Sequence, residues 1–324
     1  MKTTASLSVI LMLATSVGCH FNVSFNGRNF DYQGKTASTM QQDSIADSIK
    51  TLTVESEFCD VTVAASEEPA AWAFDGKVWA KQQEVADDLV SSLRVTTDQV
   101  DDSLTLRIML PEDEENKLRG VEATLNISIP AATTVSIRNS HGDAIVEGTN
   151  VSTTVNNRHG QIRFTSIEGE SSFDCEHGET VGVGLVGTSK IRSRHGEVKV
   201  KDASAAINLD VRHSDVKLAS LESTLTINGR HGNADISGVL TSIQGDIQHY
   251  DLDLAAANDD FKSIAVTSQH GDVKLTLPET ATPSILASAN FGDVTSDFDA
   301  TGGTESTIKV DVQHGDVQIR KAAQ

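Results

Sequence analysis

The chain has 324 residues, of which 46 are acidic and 26 are basic, so its formal net charge is −20 at pH 7. Aromatic residues make up only 4% of the sequence, which predicts a core built from aliphatic side chains. Nucleic acids and anionic lipids are bound through Lys and Arg. The charge therefore argues against nucleic acid as a partner.

The N-terminal segment has the organisation of a secretory signal. Lys2 gives a positive start, residues 7–17 are largely apolar, and Gly18 and Cys19 close the segment. The apolar run is shorter than the ~20 residues that a transmembrane helix needs. Residues 1–18 resemble a bacterial lipoprotein signal peptide, in which a small residue precedes a lipidated cysteine, although Ser16 departs from the usual leucine.

The resemblance implies that Cys19 carries lipid and becomes the mature N-terminus, and His20 after it favours the outer membrane. An ordinary cleaved signal with an incidental cysteine is the alternative. Residues 19–48 are rich in Asn, Gln, Ser and Asp, and we expect a flexible tether there. The sequence thus predicts an exported protein of the cell envelope, anchored to the outer membrane by lipid. Cys59 and Cys175 are expected to be separate buried thiols.

Nine of the ten histidines recur at fixed spacing. They are His141, His159, His177, His195, His213, His231, His249, His270 and His314. The first seven are 18 residues apart, and the next steps are 21 and 44. Phe291 divides the last gap into 21 and 23, in a segment that otherwise matches the histidine copies. The chain therefore contains ten registered copies of one unit.

Each copy carries a polar corner between two alternating apolar segments. Glycine follows the histidine position in eight of the ten copies, the exceptions being Ser214 and Tyr250. An acidic residue or its amide lies two positions after the histidine in every copy. The acidic ones are Asp143, Glu179, Glu197, Asp215, Asp251, Asp272, Asp293 and Asp316. Aliphatic residues alternate on both sides of the corner, as they do in strands, so each copy is predicted to be strand, corner, strand and turn.

An 18-residue unit can bury its apolar face only by stacking on its neighbours. We therefore predict an all-β protein whose residues 131–324 form a parallel β-solenoid of about ten 18-residue coils. Right-handed coils are favoured, because aliphatic residues do not recur every six positions as in a left-handed hexapeptide helix. An antiparallel meander or sandwich is the alternative. The extra residues before His270, Phe291 and His314 are interpreted as turn insertions.

Residues 49–130 are predicted to form an N-terminal β-rich cap with the first degenerate coils. Residues 52–63 match the repeat with Phe58 in the histidine position. Residues 72–79, 103–110 and 121–129 alternate as longer strands, and residues 82–93 are predicted to form a short helix. A cap is expected because an end coil must cover exposed core and strand edges.

Units such as His141-Gly142-Asp143-Ala144 and His270-Gly271-Asp272-Val273 resemble those of the putative-adhesin family, exported bacterial proteins with β-strand repeats that form a domain of unknown function. The resemblance covers roughly residues 50–320. It implies an exported repeat fold, and the family name implies adhesion; it brings no catalytic residues. Members more often have a small residue in place of histidine, so the resemblance leaves the histidine column unexplained.

The stacked histidines allow three interpretations. They can be a structural polar ladder that bonds along the stack or to the neighbouring carboxylates. They can bind zinc or another transition metal, since neutral imidazole is a common ligand. They can also respond to pH, with a direction that the residues alone leave open. Arg158, Arg194, Arg212 and Arg230 precede four of them, either as solvated ion-pair partners or as contacts to an acidic glycan.

The sequence contains no Gly-x-Ser-x-Gly, HExxH or phosphate-binding glycine motif. Because its polar residues repeat regularly instead of clustering, we predict no enzyme and no required cofactor. The favoured function is a lipid-anchored adhesion or envelope-interaction scaffold, with a cell-surface glycan or an envelope protein as partner. The alternative is an envelope metal-binding or metal- and pH-sensing protein that uses the histidine column. A polysaccharide-active enzyme is the least favoured function.

Overall fold

The computed structural model describes residues 24–25, 28–29, 32–112, 117–259, 261–299 and 306–322. The predicted signal peptide and Cys19 lie outside these ranges. Across them, the one α-helix is ten residues long, and no helix is long and apolar enough to cross a membrane. The rest of the regular structure is β, as the alternation of apolar residues predicts.

The strands and the helix follow one another through the whole chain. The N-terminal elements are β1 (Ser24–Phe25), β2 (Arg28–Asn29), β3 (Lys35–Ser44), β4 (Thr51–Ser56), β5 (Asp60–Ala65), β6 (Ala71–Ala80), α1 (Gln83–Ser92), β7 (Arg94–Val100), β8 (Ser103–Met109) and β9 (Leu118–Ile129). The central strands are β10 (Thr134–His141), β11 (Ala144–Glu147), β12 (Ser152–His159), β13 (Ile162–Ile167), β14 (Glu170–His177), β15 (Thr180–Arg194), β16 (Glu197–Arg212) and β17 (Asp215–Ala256). The C-terminal strands are β18 (Ser263–His270), β19 (Val273–Leu277), β20 (Ser284–Phe291), β21 (Val294–Ser296), β22 (Thr307–His314) and β23 (Val317–Lys321).

The repeat units pair in parallel and in register, which makes the fold solenoid-like. Val135 of β10 pairs with Thr153 of β12, 18 residues later, and Ala144 of β11 pairs with Ile162 of β13. The segments before the corner form one continuous face, called face A, and the segments after it form the opposite face, called face B. Alternate side chains of both faces point inward and fill an almost wholly aliphatic core.

The N-terminal region consists of longer strands and one helix, as the sequence pattern predicts. The degenerate coil β4–β5 stacks in parallel on β10 and β11, and on its other side it pairs with β8 and β9. Antiparallel strands follow outward, namely β7 on β8, and β6 and then β3 on β9. The helix expected at residues 82–93 is α1, which packs against β3 and β6.

One prediction for this region is wrong. Part of the expected tether at residues 19–48 is strand β3, which pairs antiparallel with β6 over ten residues. Its polar composition is compatible with a strand because β3 lies at the sheet edge, where backbone hydrogen bonds to one neighbour hold it and most of its side chains face solvent.

The C-terminal coils are not stacked in chain order. Strand β22 pairs with β18 on one side and with β20 on the other, and β23 likewise lies between β19 and β21. The last segment of the chain is therefore inserted between the two coils that precede it. A simple turn insertion before His314 does not describe this arrangement. The inserted coil buries Ile308, Val310 and Ile319 completely, whereas the displaced outer coil has a weaker apolar row.

Candidate functional site

The nine predicted histidines form one continuous ladder along the edge between faces A and B. Adjacent imidazole centroids are 4.5 to 5.2 Å apart, and adjacent ring planes are within 19° of parallel. Because the last coil is inserted, His270 stacks on His314, and His314 stacks on Phe291. At the other end, the ring of Phe58 lies 6.0 Å from that of His141. The ladder is thus bounded by a phenylalanine at each end.

Two backbone geometries build the corner, and they explain its two exceptions. In the coils of His141, His159, His177, His270 and His314, the following glycine has a positive φ, from 109° to 156°. In the coils of His195, His213, His231 and His249, the histidine itself has a positive φ, from 51° to 60°. The residue after such a histidine does not need a positive φ, so it can carry a side chain. Ser214 and Tyr250 both follow histidines of this second group.

Tyr250 uses the second geometry to enter the core. Its side chain is almost fully buried, and its hydroxyl lies 3.0 Å from the carbonyl oxygen of Ser214 and 3.1 Å from that of Asn233. Gly229 and Gly232 leave space for the ring, because a Cβ on either one would crowd it. Burial raises the pKa of Tyr250 well above its usual value, so the hydroxyl stays protonated.

The column of acidic residues has a role that sequence reasoning missed. In coils with aspartate, the Oδ1 atom accepts a hydrogen bond from the backbone N–H of the equivalent residue in the next coil. The pairs are Asp60 to Asp143, Asp143 to Gln161, Asp215 to Asn233, Asp251 to Asp272, Asp272 to Asp316 and Asp316 to Asp293, at 2.8 to 3.0 Å. Only a short carboxylate at this spacing makes the contact, so the column joins successive coils.

Glutamate at the same position pairs with lysine instead. The carboxylate of Glu197 lies 2.6 Å from the Nζ atom of Lys199 and 3.2 Å from that of Lys217. These lysines lower the pKa of Glu197. Glu179 occupies the same column, one coil before Glu197. The predicted acidic residues are therefore brought together in one column, where the aspartates bond between coils and Glu197 forms a surface ion pair.

The ladder does not converge on a point. The rings are stacked almost parallel, so their equivalent nitrogen lone pairs point in the same direction, whereas the ligands of one zinc ion must point toward a common centre. Among the residues that the structure describes, no group of three or more His, Cys, Asp or Glu side chains could hold a metal ion. Metal binding by the ladder stays a prediction without a geometric site behind it.

Stacking affects the protonation of the ladder. The pKa of His159 is lowered, first by desolvation and then by the neighbouring His141 and His177. The pKa of His270 is lowered by desolvation and by His249 and His314. In both cases a positive charge on one ring opposes a positive charge on the next. At His159 and His270 the direction that the sequence left open is therefore resistance to protonation.

Face A carries two outward columns of mixed charge beside the ladder. Arg158 and Arg194 both contact Glu176, at 3.4 and 4.0 Å, and Arg212 lies 3.8 Å from Asp210. Three of the four arginines predicted as a basic stripe are therefore in ion pairs. Because these side chains are between 34% and 63% exposed, each pair contributes little to stability.

A cleft of about 820 Å³ opens on face A at the N-terminal end of the ladder. One wall is the end of β8 with the residues that follow it, and the floor is the outward side of β4, β10, β12 and β14. Its charged lining consists of Arg107, Arg138, Arg158, Arg194, Glu55, Glu57, Glu112, Asp174 and Glu176. Ile108, Met109 and Leu110 add an apolar wall. The cleft therefore offers hydrogen-bond donors and acceptors side by side, next to aliphatic surface.

The two cysteines are buried, unpaired thiols, as predicted. Burial raises the pKa of Cys59 well above its usual value and raises that of Cys175 to about 11. Both thiols are therefore protonated and protected from solvent, which argues against a nucleophilic role for either.

The model of the Toastrack family, DUF4097, matches residues 49–320 of this chain. No curated protein matches. Solved structures with similar arrangements include a putative adhesin from Bacteroides fragilis NCTC 9343, with 12% identity, a TM-score of 0.35 and coverage of 88% of this chain and 97% of that one. Another is a putative lipid binding protein from Parabacteroides distasonis ATCC 8503, with 8% identity, a TM-score of 0.38 and the same two coverages. A third is a putative cell adhesion protein from Clostridium sporogenes ATCC 15579, with 10% identity, a TM-score of 0.21 and coverage of 88% and 100%.

Identities and TM-scores this low carry no functional argument, so classification depends on the family model. That model spans the degenerate first coil, the cap and the whole histidine ladder. This chain belongs to the Toastrack DUF4097 family.

Proposed function

We propose that this protein is an exported, lipid-anchored and non-enzymatic scaffold that binds a cell-surface glycan through face A. The observation that carries the proposal is the cleft on face A, whose floor is built from columns of equivalent side chains. Equivalent side chains there repeat at the spacing of paired strands, ~4.8 Å, so one local pattern of donors and acceptors is offered many times.

The alternation of charge favours a hydroxyl-rich ligand over a highly charged one. Arginine side chains only donate hydrogen bonds and carboxylates only accept them, whereas a sugar hydroxyl does both. Arg158 and Arg194 share Glu176, so neither is a free cation for an acidic glycan. The net charge of −20 also opposes a polyanionic partner. An uncharged glycan is therefore the ligand that we expect.

The anchor in this proposal is Cys19. Its support is the sequence around it, namely the apolar run that ends in Gly18 and Cys19. Acylation is measured by labelling cells that make the full chain with a palmitate analogue. We expect the label in the wild type and its absence in Cys19→Ser; a labelled Cys19→Ser variant overturns the anchor.

The binding proposal is tested with the full chain, solubilised in a mild detergent, on an array of bacterial surface glycans. We expect the double variant Arg158→Gln with Arg194→Gln to bind at least ~10-fold more weakly, which corresponds to about 1.4 kcal/mol. The matched control is Arg212→Gln with Arg230→Gln, which changes the same column outside the cleft. We expect the control to bind as the wild type does.

Two results contradict the proposal. One is a wild-type protein that binds none of the glycans and instead binds an envelope protein. The other is equal binding by the wild type and by the cleft variant. Stability of each variant is checked by thermal unfolding, because a folding defect would otherwise imitate a loss of binding.

A further inference from the structure

The two ends of the solenoid differ in how their strand edges are protected. At the N-terminal end, the outermost strands β3 and β7 are added antiparallel, and each carries charged residues, such as Lys35 and Asp43 in β3 and Arg94 and Asp98 in β7. Charged side chains on an edge oppose the addition of further strands. These charges make strand addition at the N-terminal end less favourable than at an uncharged edge.

The other end is formed by β20 and β21 because the last coil is inserted behind them. In the described part of the chain, β20 pairs only with β22 and β21 pairs only with β23, so their outer edges are free. The sequence of β20, SILASANF, contains neither a charged residue nor a proline. This edge thus lacks the features with which natural sheets usually block strand addition.

Large apolar side chains are exposed at the same end. Leu286, Phe291 and Val294 are 63%, 68% and 43% exposed, and all three belong to this one coil. Phe291 stacks on His314 with one face of its ring and ends the ladder with the other. The coil thus combines a free strand edge with uncovered apolar and aromatic surface, which in soluble proteins marks an interaction site.

The rule of the aspartate column also stops at this coil. Asp316 accepts a hydrogen bond from the backbone N–H of Asp293. The described structure has no further coil whose backbone N–H could donate to the carboxylate of Asp293. Asp293 is the only charged residue between Ser284 and Ser296. The chain has a net charge of −20, yet the edge formed by β20 and β21 carries only this one charged residue.

We infer that two copies of this chain associate end to end through β20, related by a two-fold axis. A strand edge pairs with its own copy in the antiparallel sense, and such an interface is closed and self-complementary. A second copy fits better than an oppositely charged partner, because the edge has almost no charge to recognise. The charged N-terminal edges oppose continued growth, so the expected product is a dimer.

The first test measures the mass of the full chain in mild detergent by sedimentation. We expect a dimer for the wild type and a monomer for Leu286→Lys, which places a charge on the exposed edge. The matched control is Val186→Lys, at a residue that is similarly exposed on a distant coil. We expect this control to remain a dimer. A monomeric wild type, or a dimer that survives Leu286→Lys, overturns the inference.

The second test needs no purification and separates real pairing from two chains in one micelle. Ser288 lies near the middle of β20, so Ser288→Cys brings two cysteines together across the two-fold axis. Cells that make the full chain are treated with a mild oxidant, and the covalent dimer is measured by non-reducing electrophoresis. Cys59 and Cys175 do not interfere because they are buried. The control is Thr267→Cys, at the same exposed coil position on β18.

We expect a crosslinked species of twice the chain mass for Ser288→Cys and none for Thr267→Cys. Equal crosslinking of both variants would indicate random collision and would overturn the inference. A crosslinked product of another mass would identify a different partner at this end and would also overturn it.

Discussion

Two residue types share the corner, and they stabilise it in different ways. The histidines stack ring on ring, while the aspartates two positions later accept a backbone N–H from the next coil. Without the carboxylate, that N–H faces the solvent-exposed turn without a protein acceptor. Hydrogen bonds to charged groups contribute more than neutral ones, about 1.5–3 kcal/mol where they are well shielded. At an exposed corner we expect the lower part of that range or less.

Replacement of one aspartate measures this contribution. Asp272→Ala removes the acceptor of the Asp316 N–H, and we expect a loss of about 1 kcal/mol in the free energy of unfolding. Asp293→Ala is the matched control, since that carboxylate receives no N–H from another described coil. We expect the control to change stability by less than ~0.5 kcal/mol. Urea unfolding of both variants gives the comparison, and equal losses would show that the column does not act by joining coils.

At the scale of the element, the ladder is one stack of nine imidazoles between two phenylalanines. Desolvation opposes the charging of a ring, and the new positive charge would also lie beside the neighbouring rings, so the pKa values of His159 and His270 are lowered. Phenylalanine occupies the histidine position in two coils, and its ring lies against the neighbouring histidine ring in both. The ladder geometry therefore depends on aromatic shape, and its pH response depends on imidazole.

The pH dependence of stability follows from these lowered pKa values. The unfolded chain has histidine pKa values near 6.5, so between that value and the lower folded values it binds more protons than the folded chain. The free energy of unfolding should then fall as the pH drops below ~6.5. We expect the double variant His159→Phe with His270→Phe to lose less stability than the wild type between about pH 7.5 and 5.5.

Chemical denaturation at several pH values in this window measures the slope. The single variant His20→Phe changes a histidine outside the ladder and serves as the control; we expect its slope to match the wild type. A double variant with an unchanged slope would show that these two rings do not oppose protonation. A rise of stability on acidification would reverse the sign and contradict the argument directly.

Histidine spacing was enough to predict the strands, their register and the ladder, because a strict repeat leaves one way to align equivalent residues. It was not enough to explain Ser214 and Tyr250, since the sequence does not show which residue of a corner takes the positive φ. The polar composition of residues 19–48 predicted a tether where part of the segment is strand β3. The composition misleads because an edge strand is held by backbone hydrogen bonds rather than by apolar side chains. Right-handed winding stays a prediction.

At the scale of the whole molecule, the order of the coils determines which surface ends the solenoid. Spacings of 21 and 23 residues fit sequential stacking as well as insertion, so the sequence alone could not separate them. Insertion places the strongly apolar coil of β22 and β23 inside and leaves the coil of β20 and β21 outside. The neutral edge, the exposed phenylalanine and the proposed dimer all depend on this order.

Engineered disulfides on face B distinguish the two orders. Lys274 and Thr295 both pair with Gln318, one from each side. Neighbouring strands are ~4.8 Å apart, within the Cα separation that a disulfide allows, whereas strands two coils apart are at ~9.6 Å and beyond it. We expect Lys274→Cys with Gln318→Cys, and Thr295→Cys with Gln318→Cys, to form intramolecular disulfides. Lys274→Cys with Thr295→Cys should remain reduced. Sequential stacking would make the coils of Lys274 and Thr295 neighbours, so it predicts a disulfide for that last pair. Mass spectrometry of the denatured chain detects each disulfide. A disulfide between residues 274 and 295 would contradict the insertion, and with it the open end formed by β20.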